Sequence, residues 1–208
     1  MTTQTRESQT DLTPAAALNL LREGNARFQA GSMATRDLVS QVGVTAQGQF
    51  PFAVILSCID SRVSAELVFD QGLGDVFSAR IAGNVLNDDI LGSLEFACQL
   101  AGSKLIVVVG HSACGAVRGA CDGAELGHLT GLLKKIGPAI EAVAASGQER
   151  GDEFVLRVAE RNVEHVVREI RERSPVLEAL ITKGDVGIVG AMYSVQTGKV
   201  EFTELSCG

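Results

Sequence analysis

The stretch Leu105-Ile106-Val107-Val108-Val109 is apolar at every position and runs directly into Gly110-His111. A helix would interrupt such a run with polar residues every turn, and a half-exposed strand would do so at alternate positions. An unbroken short run of branched residues fits a strand covered on both faces, and such strands belong to parallel sheets flanked by helices. The neighbouring text keeps that rhythm. Residues 53–58 read as a buried strand, 64–69 as a short helix and 75–81 as a second strand. Residues 88–101 read as a helix whose apolar side is Ile90, Leu91, Leu94 and Ala97. The order predicts an α/β fold with a central, mainly parallel β-sheet and flanking helices.

Downstream, helical text over 114–145 is broken by Gly123, Gly127 and Gly137-Pro138. Val155, Val158, Asn162, Val163, Val166, Val167 and Ile170 then mark one stripe of a long amphipathic helix. Ser174-Pro175 starts another helix that Gly184 ends. A strand is expected over 186–195, with a last one over 200–203 after the turn at Thr197-Gly198-Lys199. Upstream, residues 1–12 read as disordered, and 13–208 as a single domain. Thr13 and Pro14 open an N-terminal helical arm that carries Leu18, Leu21 and Phe28 on one face and ends at Gly31. Residues 32–50 read as a loop.

Composition narrows the function classes. The formal net charge of −7 argues against a nucleic-acid partner or an anionic membrane surface. No apolar run approaches the roughly 20 residues that cross a bilayer. The polar opening lacks a signal core, which predicts a cytoplasmic protein. Five cysteines, an odd number, fit a reducing compartment better than a disulfide framework.

Two short segments carry the chemistry, Ser57-Cys58-Ile59-Asp60-Ser61-Arg62 and Gly110-His111-Ser112-Ala113-Cys114-Gly115. Cys58, His111 and Cys114 offer two thiols and an imidazole, a set that holds a zinc ion with one tetrahedral position open. In a parallel sheet, ligands gather beyond the carboxyl ends of the strands. Cys58 closes one strand and His111 follows another, so adjacent strands would bring them to one crevice. A structural zinc would need a fourth protein ligand, with Cys98, Cys121, His128 and His165 as candidates. Alternation along an extended segment would aim Cys58, Asp60 and Arg62 the same way. Arg62 could then hold Asp60 on two prongs, or Asp60 could itself take the fourth zinc position.

At these residues the sequence resembles a β-class carbonic anhydrase of the plant-like subgroup, bacterial type. The resemblance runs from about Leu18 to Phe202. It rests on Cys58-x-Asp60-Ser61-Arg62, Arg80-x-Ala82-Gly83-Asn84 and His111-Ser112-x-Cys114-Gly115, supported by Ser174-Pro175-Val176-Leu177 and Gly187-Ile188-Val189-Gly190-Ala191. It implies Cys58, His111 and Cys114 as ligands of one Zn2+ per chain, and Asp60 with Arg62 as a catalytic dyad. The implied reaction is reversible hydration of CO2 to bicarbonate and a proton, by attack of zinc-bound hydroxide. Gln49, Val63, Phe77, Gly83 and Phe96 are the implied substrate pocket, Phe96 standing where many members have a Tyr. Ile55 stands where another subgroup has the Trp of a bicarbonate trap. The family places its site at a dimer interface embraced by the N-terminal helix, which implies a homodimer or dimer of dimers. Two rival readings share the site: hydrolysis of carbon disulfide or carbonyl sulfide, and a non-catalytic zinc-dependent interaction protein.

Overall fold

Residues 3–208 are described by the computed structural model. Two short helices and one long one precede the sheet: α1 (Arg6–Asp11), α2 (Pro14–Gln29) and α3 (Leu38–Thr45). The core alternates β1 (Ala53–Ser57), α4 (Ala65–Val68), β2 (Val76–Arg80), α5 (Asp88–Glu95) and β3 (Leu105–His111). The second half holds α6 (Gly115–Cys121), α7 (Gly127–Leu133), α8 (Gly137–Ala145), α9 (Asp152–Arg173), α10 (Pro175–Lys183), β4 (Gly187–Tyr193) and β5 (Val200–Phe202). The strand order is β2-β1-β3-β4-β5. The first four strands are parallel and β5 closes the edge antiparallel. The α/β architecture with a central, mostly parallel sheet is the one the apolar runs predict.

Successive side chains of a strand serve opposite faces, and the core divides accordingly. Ile55, Leu105, Val107 and Val189 meet α2 and α4 on one face. Leu56, Ile106, Val108 and Ile188 meet α5, α9 and α10 on the other. A third cluster lies under α6–α9 and ends at Cys58 and Cys114. Gly110 is required by close approach: a Cβ there would lie 2.6 Å from Val163 Cγ2 and 2.8 Å from the Met192 sulfur.

Two N-terminal expectations are corrected. Residues 1–12 read as disordered, yet 6–11 form α1, and residues 1 and 2 lie outside the described residues. A Thr5–Ser8 capping box starts the helix, and buried Gln9 donates to the carbonyls of Pro51 (2.8 Å) and Ala101 (2.9 Å). The 32–50 loop contains α3, which Asp37 caps through the Ser40 N–H. Gln41 anchors it by accepting from the Leu73 N–H at 3.1 Å. The apolar face of the arm is covered by its own chain: Ala17, Leu18 and Leu21 are buried against the sheet, and Phe28 packs beside them.

Smaller differences concern element ends. The 88–101 helix changes to a π turn over Phe96–Leu100. The strand expected to stop at Val109 continues through His111, because Gly110 and His111 pair with Met192 and Tyr193 of β4.

Candidate metal centre

Strand order reverses direction between β1 and β3, since β2 lies on one side of β1 and β3 on the other. That reversal leaves a crevice at the carboxyl ends of the two strands. Ser57, the last residue of β1, pairs with Val109, so Cys58 and His111 emerge side by side. Cys114 enters from the turn opening α6, where it is the N-cap residue. The turn is tight: Ala113 adopts φ 54°, a left-handed conformation unusual for a residue with a Cβ. The donor atoms of Cys58, His111 and Cys114 all lie within 4.8 Å of one another, and all three residues are buried. Among the described residues, Cys98, Cys121, His128 and His165 lie outside this cluster, so a closed four-ligand structural site has no support.

The imidazole is oriented from outside. His111 Nδ1 lies 3.0 Å from the Ser112 carbonyl oxygen, and a carbonyl only accepts, so Nδ1 carries the proton. The lone pair is thereby left on Nε2, which is buried with no hydrogen-bond partner in the protein. The thiols form a coupled pair. The hydrogen bond from Cys114 holds Cys58 well below the ordinary thiol range against the effect of burial, with the Gly83 N–H adding to it. Cys114 is pushed up by the same bond and by burial. Two buried sulfurs beside an unpartnered ring nitrogen form a donor set suited to zinc with three protein ligands and one open position.

Asp60 stands at the rim, its Oδ2 4.0 Å from His111 Nε2. Arg62 grips it on two prongs, Nε to Oδ1 at 2.9 Å and Nη2 to Oδ2 at 2.8 Å. The Arg62 backbone N–H also donates to Oδ1, at 3.0 Å. These side-chain bonds to Arg62 are the main reason the Asp60 carboxyl sits far below the usual carboxylate range. The two residues do not meet through strand alternation. The chain leaves β1 at Ser57 and turns, with the Val63 N–H donating to the Asp60 carbonyl at 3.0 Å.

The five expected pocket residues do not converge within one chain. Gly83 reaches the centre, but its N–H donates to the Cys58 sulfur at 3.3 Å. Val63 is buried in the core on the α2 side of the sheet. Phe77 and Phe96 meet edge to face, centroids 6.1 Å apart. They line a cavity of about 680 Å³ with Val54, Ala79 and Ile90, away from the thiols. Gln49 is exposed, in a separate depression between α3 and the 73–74 turn.

Two residues at the centre have no role in the sequence reading. Arg80, at the end of β2, donates to the carbonyls of Cys58 (3.1 Å) and Asp60 (2.8 Å) and so fixes the backbone bearing both. Its signal was available: an arginine ending the strand next to the one that Cys58 closes. Asn162 donates to the Gly83 carbonyl at 2.9 Å. Its signal was a polar residue inside an otherwise apolar stripe.

Comparison with known proteins agrees with this geometry. The family model described as carbonic anhydrase matches residues 53–200. Carbonic anhydrase 2 of Mycobacterium tuberculosis is 39% identical over 193 residues, covering 89% of this chain and 91% of that protein. The β-carbonic anhydrase CafA of Aspergillus fumigatus superposes with a TM-score of 0.73 at 30% identity, covering 91% of this chain and 90% of that one. One of the tetrameric β-carbonic anhydrases of Sordaria macrospora superposes with a TM-score of 0.73 at 25% identity, covering 90% and 94%. Sequence, fold and the Cys–His–Cys cluster at the sheet's reversal point agree: the chain belongs to the β-carbonic anhydrase family.

Proposed function

We propose that the chain hydrates carbon dioxide reversibly to bicarbonate and a proton, at a zinc ion held by Cys58, His111 and Cys114. The observation that carries this reading is the buried, unpartnered Nε2 of His111, 4.0 Å from a carboxylate that Arg62 fixes on two prongs. Zinc in such a site lowers the pKa of a bound water to about 7 and so supplies a nucleophile at neutral pH. The chain's own residues do the rest. Asp60, kept ionised, would accept a hydrogen bond from the attacking solvent and so orient it toward the substrate carbon. Arg62 restrains that carboxylate from swinging into the open position itself. Arg80 holds the backbone on which Cys58 and Asp60 are mounted.

The apolar pocket suits a small nonpolar gas, with Phe77 and Phe96 as its aromatic wall and Gln49 as a donor to a substrate oxygen. A second copy of the chain is the means of bringing those residues to the metal centre, since within one chain they lie apart from it. Leu38, Val39, Val42 and Val44 of α3 are exposed, a row that assembly would cover. The proposed assembly is a homodimer or a dimer of dimers. No helix among the described residues is long and apolar enough to cross a membrane. All five cysteines are free, which fits a reducing, cytoplasmic setting.

Stopped-flow CO2 hydration on the purified protein, with zinc determination on the same sample, tests the reading. The expected result is one zinc per chain and rapid hydration. A zinc-replete chain that hydrolyses carbon disulfide or carbonyl sulfide but leaves CO2 untouched would overturn it.

A further inference from the structure

We propose that Asn162 is a positioning residue of the metal centre: by holding the Gly83 carbonyl it aims the Gly83 N–H at the sulfur of Cys58. The inference rests on the metal reading above. Among the described residues, the buried stripe of α9 is apolar except at Asn162, which sits with Val158, Val163 and Val166 and is fully enclosed. A polar amide in such a place is costly unless it is used. Only half of it is satisfied: Nδ2 donates to the Gly83 carbonyl at 2.9 Å, while Oδ1 is buried without a partner. The orientation follows from the acceptor, because a flipped amide would face oxygen against oxygen.

Gly83 and Asn84 are consecutive left-handed residues, φ 67° and 44°. Such backbone persists where its surroundings over-determine it. Packing closes one side of Gly83, where a Cβ would lie 3.0 Å from Ile136 Cδ1 and 3.4 Å from Ala116 Cβ. Asn162 supplies the polar restraint on the carbonyl. With the residue fixed at both ends, its N–H meets the Cys58 sulfur at 3.3 Å. An N–H donating to a thiolate draws electron density from the sulfur. It therefore influences both how firmly the sulfur holds a metal and how readily it transfers charge to it. Partners one step beyond the ligands typically change metal affinity 10- to 100-fold.

The test uses the full chain loaded with zinc or cobalt(II). Asn162→Leu keeps the approximate volume and removes the donor, and Asn162→Ala removes the donor without adding bulk. Val166→Ala loosens the same buried stripe without touching Gly83. In the cobalt protein, both Asn162 variants should move the thiolate-to-cobalt charge-transfer band to longer wavelength, because a sulfur without its hydrogen bond gives up charge more easily. Chelator competition should show zinc held about 10- to 100-fold more weakly. Val166→Ala should leave the band in place. An unchanged band and unchanged zinc affinity in a folded Asn162 variant would overturn the inference, as would an equal band shift in Val166→Ala. A wild-type chain that binds neither metal would overturn the metal reading, and this inference with it.

Discussion

Asp60 and Arg62 show how a residue pair can be readable in sequence while its geometry is not. Their spacing marks them as partners of Cys58, but the alternation argument assumes an extended chain that ends at Ser57, and the grip forms across a turn. The candidate metal ligands are easier to place, since Cys58 and His111 stand where strands stop and Cys114 lies in the turn that follows. Cys58→Ser is expected to lose most of its zinc, read by metal analysis, and full retention would contradict the ligand set. Asp60→Asn should keep zinc and lose activity on the order of 100- to 1000-fold, the typical cost of a missing charged partner in the transition state. Arg62→Ala should also keep zinc, and its effect on stability has a definite sign. Arg62 holds the Asp60 carboxyl far below its ordinary pKa, which is about 3.9 in an unfolded chain. A depressed acid contributes stability that is complete above the unfolded value and is lost as pH falls toward the folded one. Wild type should therefore melt above Arg62→Ala at about pH 5 to 7, and the gap should close as pH drops below about 4. A gap that stays constant down to pH 2 would show that the ion pair is not its source.

At the scale of elements, the strands were readable because each is buried on both faces and therefore written in branched apolar residues. The N-terminal region was less so, because tertiary contacts decide it. Helix α3 carries Val39, Val42, Gly43, Val44 and Thr45, poor helix formers, and is held by the Asp37 cap and the Gln41 bond to Leu73. Ahead of it lies a polar lock that no periodicity reveals. Asp70 is fully buried in a left-handed conformation, φ 47°. It accepts from Arg27 of α2 at 2.5 Å, from the Ala34 N–H at 3.2 Å, and from Arg36. Burial pushes its carboxyl up, and these partners outweigh that and hold it down. The lock ties α2 and the 32–37 segment to the turn after α4. Removing one partner of a buried pair leaves the other charge uncompensated, which costs about 3–5 kcal/mol. Asp70→Ala should lose about that much in urea unfolding at pH 7, whereas a loss under about 1 kcal/mol would place the pair among surface bridges of little consequence.

At the scale of the whole molecule, a single chain brings the three candidate ligands Cys58, His111 and Cys114 together and leaves the residues of the expected pocket apart. The candidate ligands lie at the ends of β1 and β3 and in the turn before α6. The aromatic pair Phe77–Phe96 lies over the edge strand β2, and Gln49 lies beyond α3. A sequence motif carries no record of which copy of a chain would supply each residue, so the expectation of one pocket is silent on this separation. In the arm, Leu18 and Leu21 are covered by the chain's own sheet. Helix α3 does stay uncovered, with Val39 85% exposed and Val44 61%, and Leu100 and Leu126 are exposed elsewhere. If the aromatic wall acts across an interface, two crippled chains should repair each other. Cys58→Ser removes a chain's own metal centre and leaves its aromatic pair to serve the partner. The double variant Phe77→Ala with Phe96→Ala does the reverse. A mixed dimer then holds one site with both intact halves. Co-expression at equal dose should recover roughly a quarter of wild-type sites through random pairing in a two-fold assembly, where each variant alone is nearly inactive. No recovery in a mixture shown by light scattering to contain dimers would place the wall and the metal in the same chain.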